Sequence, residues 1–333
     1  MDIIIIVLFR DWLEGFINYW NFNILTGGGP YCLKYSENEI KEVYNSIKKE
    51  KEQLKEDNEK LTSEESQPRQ SGSQEWRQAR GEMGSNPEIP SNFKEDSCRI
   101  LFQFNKFVET KTLKCLGTTS YKNNVLQLTG QNTSSAGACW FISPISIRES
   151  LVCSFQFQIL HPGADGFAFV IVSIFIPLFY LYLLFFKQGE GLSALGKAGG
   201  EKGYGGITKC IAIDFDTYEN YSQSEDPNNN HISIQSRGKI ANTSHHRFAL
   251  GCASNLPITL NDGNIHSVTI VYDCINHSCI VELNGQVILQ ISIELSSLLE
   301  CDKAFIGFTA GTGGLTQTHN IISWKVMRPK SDK

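Results

Sequence analysis

The feature that most constrains this 333-residue chain is a series of short apolar runs that begins after Phe93 and continues almost to the carboxyl end. Within these runs apolar side chains alternate with polar ones, and residues that favour turns separate one run from the next. The runs cover residues 100–107, 124–128, 139–145, 151–159, 165–171, 207–215, 231–235, 266–272, 278–283, 286–293, 304–309 and 321–326. Since no long amphipathic helix occurs among them, the pattern predicts an all-β sandwich or jelly roll over residues 93–330.

Turn residues stand between the predicted strands. They include Gly251, the triplet Asn261-Asp262-Gly263 and the pair Asn284-Gly285. An Asn-Gly pair is typical of a two-residue β-hairpin loop. We therefore expect a tight hairpin at residues 284–285 and turns at the other two places.

The first 92 residues have a different character. Residues 1–35 contain an apolar segment to which we assign no fold. Ser36 and Glu39 form a capping-box pattern, and apolar residues then recur every seven positions, which predicts a short solvated helix over 36–61. Residues 62–92 are rich in Ser, Gln, Glu, Gly and Pro, so we expect a disordered linker.

One stretch, residues 167–186, is apolar over about the 20 residues that a membrane-spanning helix needs. Its beginning belongs to the predicted strand at 165–171, and Pro177 interrupts the remainder. A crossing inside one β-domain would also expose unpaired strand edges to lipid. We therefore expect a foreign apolar insert at about 172–187 that does not span a membrane.

Charge and cysteine spacing narrow the function classes. The chain has 30 basic and 35 acidic residues, a net charge of -5, and no cluster of basic residues among aromatic ones, so nucleic acid is not an expected partner. The ten cysteines lack the spacing of a structural zinc site. Cys274 and Cys279 flank a short turn where they could form a disulfide; the alternative is that these cysteines, like most of the others, are buried thiols.

Asparagine sequons bear on the cellular location. N-x-S sequences occur at Asn132, Asn220, Asn242 and Asn276, which favours a glycoprotein in the secretory pathway or outside the cell. The amino terminus lacks the basic segment and the cleavage site of a signal peptide. The expected secretory or extracellular location therefore rests on the sequons.

The chemically informative segment is the predicted strand that ends in Asp214-Phe215-Asp216, together with the residues that follow it. On a strand, Asp214 and Asp216 point to one face, and two adjacent carboxylates are costly unless a cation lies between them. One candidate set offers only oxygens, as Ca²⁺ prefers: Asp216, the Tyr218 carbonyl, Asn220 and Asp226. A second set adds an imidazole, which suits Mn²⁺ or another transition ion: Asp214, Asp216, Asp226 and His231. On these residues alone, an acidic surface loop remains the alternative.

This segment resembles the metal loop of the legume-type (L-type) lectins. Further blocks resemble that family's blocks in the same order, at residues 136–140, 163–169, 262–266, 305–313 and 319–324. The resemblance implies a concanavalin A-like jelly roll of two large antiparallel sheets. It also implies that a sugar sits in a shallow depression beside the metal ions.

The resemblance also implies a set of carbohydrate-binding residues: Asp165, Gly200, Tyr218, Asn220, Gly314 and Leu315. Asp165 would accept hydrogen bonds from sugar hydroxyls, after a cis Ala164-Asp165 peptide. Asn220 would donate its amide to the sugar while binding calcium, and Tyr218 would lie against the ring. A backbone N–H near Gly200 would complete the donors, and the loop at 313–315 would set specificity.

The sequence departs from the family's pattern at Asp214 and in the spacer between Asn220 and Asp226, which is a little longer than in the best-known members, and two further features bear on the site. Asp214 stands where the family usually has Glu, which shortens its reach toward a transition ion. The apolar insert separates Asp165 from Gly200 along the chain, and glycosylation of Asn220 would block the site.

The expected function is a calcium-dependent carbohydrate-binding lectin domain without catalytic activity. Its partners would be glycans or glycoproteins, and a homodimer could form through the sheet opposite the sugar site. One alternative is a glycoside hydrolase, because Asp214, Asp216 and Glu219 approximate the E-x-D-x-x-E spacing of endoglucanases with a shortened first residue. The other is an interaction domain that keeps the fold and has lost sugar binding.

Overall fold

The computed structural model describes residues 88–174 and 190–330. The apolar segment at 1–35, the helix predicted for 36–61 and most of the linker at 62–92 lie outside the described residues. The same holds for residues 175–189, which make up most of the predicted insert.

The described residues form sixteen β-strands: β1 Cys98–Phe104, β2 Leu113–Gly117, β3 Ser120–Lys122, β4 Val125–Thr129, β5 Ala136–Phe141, β6 Ile145–Ser146, β7 Leu151–Leu160, β8 Gly166–Ser173, β9 Cys210–Asp216, β10 His231–Ser236, β11 Ala249–Ala253, β12 Ile265–Asp273, β13 Ser278–Leu283, β14 Gln286–Ser292, β15 Lys303–Gly311 and β16 Thr318–Pro329. Three short helices accompany them in these ranges: α1 Glu190–Ser193, α2 Tyr221–Ser224 and α3 Leu295–Leu299. Single 3₁₀ turns occur at Ser91–Phe93, Glu95–Ser97, Gly199–Glu201 and His246–Phe248.

The strands form two eight-stranded antiparallel sheets, which confirms the predicted all-β sandwich. Sheet I has the order β14-β13-β12-β7-β16-β4-β3, and β1 also pairs with β16. Sheet II has the order β11-β10-β9-β8-β15-β5-β2, and β6 also pairs with β15. The neighbours of β8 in sheet II are β9 and β15, so residues distant in sequence meet at its ends.

Strand β8 shows how the apolar sequence divides between two layers. Phe167 and Phe169 belong to the core between the sheets, whereas the alternate residues Ala168 and Val170 belong to a second cluster on the outer face of sheet II. In the central core the rings of Phe308 and Trp324 meet edge to face, with their centroids 4.9 Å apart. Because both faces of β8 are buried, its sequence is nearly continuously apolar.

Each sheet carries further packing on its outer face. Tyr204, in the loop that follows α1, is fully buried in the cluster on sheet II. On sheet I, Phe93 is buried against Val152 and Met327, and Ile89 packs against the same cluster. Ile89, which lies inside the segment predicted as linker, therefore packs on the β-domain.

The structure corrects two predicted boundaries. Gly251 lies within β11, opposite Ile234, and not in a turn. Glycine is needed there because a methyl group would lie 2.5 Å from the Ile291 side chain. Strand β8 extends to Ser173, so Val172 and Ser173 belong to sheet II and not to the insert. The hairpin predicted at Asn284-Gly285 is confirmed, with φ of 49° and 82° at these residues.

Two further expectations concern cysteines and the membrane. The nine cysteines within the described ranges are free thiols, so the disulfide considered for Cys274 and Cys279 is not formed. Cys274 instead accepts a hydrogen bond from the Ser150 hydroxyl at 3.4 Å. No helix within residues 88–174 and 190–330 has the length and hydropathy of a membrane span.

Candidate functional site

The end of β9 presents two carboxylates on the outer face of sheet II. Ile213 and Phe215 point into the central core, so the alternate residues Asp214 and Asp216 point outward, as predicted. In the neighbouring strand β10, His231 lies directly opposite Asp216. Strand register therefore brings an imidazole beside a buried carboxylate.

Three of the predicted metal ligands converge. Asp216, Asp226 and His231 each offer a ligand atom, and these atoms lie within 4.8 Å of one another. His231 donates a hydrogen bond from Nδ1 to the Asn228 carbonyl at 2.9 Å, which leaves Nε2 as an acceptor. Burial and the nearby Lys202 lower the pKa of His231 to about 4, so the ring is neutral near pH 7.

The loop after β9 folds back on these carboxylates. The Tyr218 N–H donates to Asp216 Oδ1 at 2.9 Å, and the Asn220 N–H donates to Asp226 Oδ2 at 2.8 Å. Asn220 Oδ1 is buried and accepts no hydrogen bond from the described residues. Because an unpaired buried oxygen is costly, this atom and its carboxylate neighbours fit an oxygen-binding cation such as Ca²⁺.

Asp214, the fourth predicted ligand of a transition ion, does not join the convergent group. Its Oδ2 accepts a hydrogen bond from the Tyr204 hydroxyl at 2.8 Å and lies 3.2 Å from Lys202 Nζ. Lys202 Nζ also lies 2.5 Å from Asp216 Oδ2. The full four-residue set therefore does not fit a transition ion, because an ammonium contacts two of its carboxylates.

The charges of this cluster stabilise one another. Burial alone would lower the pKa of Lys202, but Asp214, Asp216 and Asp226 outweigh it and hold that pKa above its ordinary value. Burial raises the pKa of Asp214 and of Asp216, and the Lys202 ammonium opposes this shift. The buried lysine and its carboxylates thus form a coupled ionic group.

A second constellation lies at the start of β8. The peptide between Ala164 and Asp165 is cis, as the resemblance implied. Asp165 Oδ2 is buried and makes no hydrogen bond of ordinary geometry among the described residues, while a methyl group on Gly313 would lie 3.0 Å from it. Burial raises the pKa of Asp165 to about 6 and Asp216 adds to the shift, whereas Lys202 and the nearby Gly313 N–H and Asn220 amide oppose it.

The neighbouring loops lie around Asp165, where the resemblance implies a shallow depression for the sugar. A methyl group on Gly200 would lie 2.9 Å from Asn220 Oδ1, and Gly199 donates a backbone hydrogen bond to the Thr312 carbonyl. Gly314 and Leu315 follow Gly313 in the chain. A methyl group on Gly314 would meet open space, and Leu315 is 49% exposed. Tyr218 is 39% exposed, so its ring is available to a ligand.

A neutral polar chain lies beneath Asp165, and sequence reasoning missed it. Thr217 donates to the Asp165 carbonyl through its N–H at 3.1 Å, and its hydroxyl lies 2.7 Å from Gln317 Oε1. His319 contacts Gln317 Oε1 at 2.9 Å through Nε2 and the Thr129 hydroxyl at 2.6 Å through Nδ1. We call these four residues (Thr129, Thr217, Gln317 and His319) the neutral relay. It joins β16 of sheet I to the Asp165 backbone.

The four sequons occupy different environments. Asn132 and Asn276 are exposed. Asn242 is buried, and its amide donates to the Gln235 carbonyl at 3.1 Å. Asn220 belongs to the loop described above. Only the first two therefore present the asparagine to solvent.

Comparison with known proteins gives the family. The model of the Legume lectin domain matches residues 99–332. The chain belongs to the legume lectin family. This match takes in both sheets, the β9 loop and the depression around Asp165, and it confirms the predicted fold and resemblance.

Named relatives extend this result. The lectin domain is 28% identical over 258 residues to a seed lectin of Styphnolobium japonicum, covering 69% of this chain and 80% of that lectin. It is 26% identical over 245 residues to the L-type lectin-domain containing receptor kinase VII.1 of Arabidopsis thaliana, covering 68% of this chain and 34% of the kinase. The structure of lectin II from Ulex europaeus matches with a TM-score of 0.53 and 25% identity, covering 68% of this chain and 96% of that lectin.

These matches identify a carbohydrate-binding lectin domain. The chain spans about a third of the length of the receptor kinases that it matches. The similarity to those kinases therefore concerns the lectin domain.

Proposed function

We propose that this lectin domain binds glycans in a calcium-dependent manner and has no catalytic activity. The observation that carries the proposal is the pair of buried oxygens without a well-formed hydrogen bond, Asp165 Oδ2 beside Gly313 and Asn220 Oδ1 beside Gly200. A buried oxygen without a hydrogen bond is costly unless a ligand satisfies it. A sugar hydroxyl suits the first, and a calcium ion suits the second.

Asp216, Asp226, Asn220 and the Tyr218 carbonyl would hold the calcium ion. Bound there, the ion would supply positive charge to two buried carboxylates and fix the loop between them. The chain already closes this loop through the backbone hydrogen bonds to Asp216 and Asp226. The ion would therefore order the side chains that meet the sugar.

The residues around the depression would contact the sugar in three ways, as hydrogen-bond acceptors, as donors and as apolar surface. Asp165 accepts hydrogen bonds from adjacent hydroxyls, and the Asn220 amide and the Gly200 N–H donate. Tyr218 and Leu315 offer exposed apolar surface to the sugar ring. Gly313 leaves space beside Asp165, because a methyl group there would lie 3.0 Å from Asp165 Oδ2. Gly314 also adds no side chain to this side of the site.

The same geometry argues against the hydrolase alternative. Asp214 is buried under the Tyr204 hydroxyl and the Lys202 ammonium, which engage it as an acceptor. Glu219 is exposed on the loop. Retaining hydrolysis needs two carboxyl groups about 5 Å apart that both reach the sugar, and a buried, ion-paired Asp214 does not suit that role.

A glycan array probed with the full chain, in calcium and then in excess EGTA, tests the proposal. We expect saturable binding to a subset of glycans in calcium and loss of that binding in EGTA. Asp165→Ala should abolish binding in calcium. Asp302→Asn is the matched control, because Asp302 pairs with Arg148 on the exposed surface just before β15, whose opposite end leads to Gly313 at the site.

Two outcomes would contradict the proposal. One is glycan binding that EGTA leaves unchanged, and the other is release of reducing sugar from β-glucans that Asp216→Asn removes. We further propose glycoprotein partners and a secretory or extracellular location, which the exposed sequons at Asn132 and Asn276 support. A homodimer through sheet I stays a prediction, although Phe93 and Ile89 already cover part of that face.

A further inference from the structure

Lys202 is the most unusual charged residue of this domain. It follows the 3₁₀ turn Gly199–Glu201, its φ of 45° lies in the left-handed region, and its side chain is 0% exposed. Lysine is almost never fully buried unless it is paired. The fold therefore holds this side chain in place through specific contacts.

The ammonium of Lys202 has a partner for each of its three hydrogens. Nζ lies 2.5 Å from Asp216 Oδ2, 3.2 Å from Asp214 Oδ2 and 2.8 Å from the Gly200 carbonyl. Two carboxylates on one strand face need a cation between them. Here the chain itself supplies that cation, and the same group ties the Gly200 backbone to the cluster.

The neighbouring strands leave room for this lysine. In β8, Gly166 lies opposite Asp216, and a methyl group on Gly166 would lie 3.1 Å from Lys202 Cδ. In β15, a methyl group on Gly311 would lie 2.9 Å from Lys202 Cα. Small residues on both flanking strands thus accommodate the Lys202 side chain and backbone.

A transition ion would compete with this arrangement. It would need Asp214, which points to Lys202 and Tyr204, and Asp216 Oδ2, which Lys202 already contacts. It would also lie beside a fixed positive charge. Of the four proposed calcium ligands, Asp216 contacts Lys202 directly through Oδ2, and Asp226 interacts with Lys202 through its charge. Asp216 Oδ1, which accepts from the Tyr218 N–H, is on the side of the carboxylate away from that contact.

We propose that the Lys202 ammonium takes the place of the transition ion in this lectin domain and leaves calcium as its one exchangeable metal. The calcium half of this statement rests on the proposed function. Lys202 is a positioning residue, because it acts through Asp214, Asp216 and the Gly200 backbone. The three negative charges of Asp214, Asp216 and Asp226 are then balanced by one lysine and one Ca²⁺.

Metal content provides the direct test. The full chain is stripped of metal, incubated with Ca²⁺ and Mn²⁺ together, desalted and analysed by elemental mass spectrometry. We expect about one Ca²⁺ per chain and no stoichiometric Mn²⁺. Uptake of one Mn²⁺ per chain by the wild type would overturn the proposal, whether or not any glycan binds.

Variants sharpen the test. Lys202→Ala frees both carboxylates, so we expect saturable Mn²⁺ uptake and a Tm that rises with Mn²⁺ concentration. Uptake is measured as the loss of the electron paramagnetic resonance signal of free Mn²⁺. The wild-type Tm should not respond to Mn²⁺. Lys197→Met, an exposed lysine in the same loop, is the control and should behave as the wild type.

A charge-only variant covers the case in which Lys202→Ala does not fold. Lys202→Met keeps the length of the side chain and removes its charge, so its Tm should fall well below that of the wild type. Adding Asp214→Asn should recover part of the loss, because it removes one of the uncompensated carboxylates. Equal Tm values for Lys202→Met and the wild type would refute the role of the ammonium.

Discussion

Two polar groups lie buried side by side in this lectin domain, and they are stabilised in opposite ways. The carboxylate cluster of Asp214, Asp216 and Asp226 is charged, retains an unpartnered oxygen at Asp214 Oδ1 and relies on cations. The neutral relay, in which His319 lies between Gln317 and Thr129, carries no charge and is held by hydrogen bonds between its own residues. Both support Asp165, one through Lys202 and the other through Thr217.

The comparison shows what each group requires of the solution. A buried charged cluster keeps its structure only while cations compensate it, so its sensitivity is to metal ions. A buried neutral histidine keeps its hydrogen bonds only while it stays unprotonated, so its sensitivity is to pH. The same depression should therefore respond to chelators through one group and to acid through the other.

The strongest way to break the charged cluster is Asp216→Asn. Asp216 pairs with Lys202 and is also a proposed calcium ligand, so its neutral form leaves the buried ammonium with one carboxylate fewer. We expect a loss of about 3 kcal/mol in the free energy of unfolding and no glycan binding. Urea denaturation measures the first and the glycan array the second. Asp302→Asn should cost less than about 1 kcal/mol, because its ion pair is exposed.

Removing calcium should have the next largest effect. An ion that binds only the folded state contributes about 2.7 kcal/mol when its concentration is a hundredfold above Kd. EGTA should therefore lower the wild-type Tm by several degrees, and glycan binding should disappear with it. Asp165→Ala separates the two effects, since it should abolish glycan binding while the Tm still responds to calcium. A Tm that EGTA does not change would contradict the calcium site.

Acid should act on the neutral relay. Burial lowers the pKa of His319 from 6.5 to about 3. The folded state thus resists protonation more than the unfolded state does, so the stability from the neutral ring is complete above pH 6.5 and is lost as the pH falls toward 3. At pH 5 the free energy of unfolding should therefore be lower by roughly 2 kcal/mol than at neutral pH.

His319→Gln checks this pH dependence. The variant cannot take up the proton, so its unfolding free energy should fall less between pH 7 and pH 5 than that of the wild type. His231 also has a lowered pKa, and it titrates in both proteins, so the difference between the two curves isolates His319. Parallel curves would show that the relay does not sense acid.

The smallest effect concerns the exposed surface beside both groups. Tyr218→Ala removes apolar area that we expect to contact a sugar ring, without touching the Tyr218 carbonyl. Burial of some tens of square ångströms is worth about 1 kcal/mol, or roughly fivefold in Kd. Isothermal titration with the best glycan of the array measures this change. An unchanged Kd would remove Tyr218 from the sugar site, and the Tm should stay constant because the side chain is exposed.

Sequence alone predicted the charged cluster better than the neutral relay. Asp214 and Asp216 alternate with core residues on one strand, and Asn220, Asp226 and His231 follow within a short segment, so spacing and ligand chemistry singled out the segment and the family resemblance favoured a metal loop over an acidic surface loop. Thr217 and His319 are about a hundred residues apart in the chain. Strand pairing within the two sheets brings them together, and no local sequence pattern predicts this contact.

Lys202 illustrates a different limit. A lysine among glycines is ordinarily read as an exposed loop residue, and nothing in its immediate neighbours marks it as buried. Its position depends on the loop after α1 crossing the outer face of sheet II, where Tyr204 is anchored. The error at Gly251 has a related cause, because close approach of Ile291 and not a turn requires glycine there.

The close approach of α1 to the end of β8 has a consequence for how this domain can change. Strand β8 ends at Ser173, and a methyl group on Gly191, just inside α1, would lie 3.3 Å from the Ser173 carbonyl oxygen. The two ends of the intervening segment therefore meet, and closing a loop between adjacent ends costs little more when the loop is longer. The sandwich can accept, shorten or exchange sequence here with its pairing intact. This junction is a natural position for new termini in a circular permutant, or for a reporter inserted into a folded lectin.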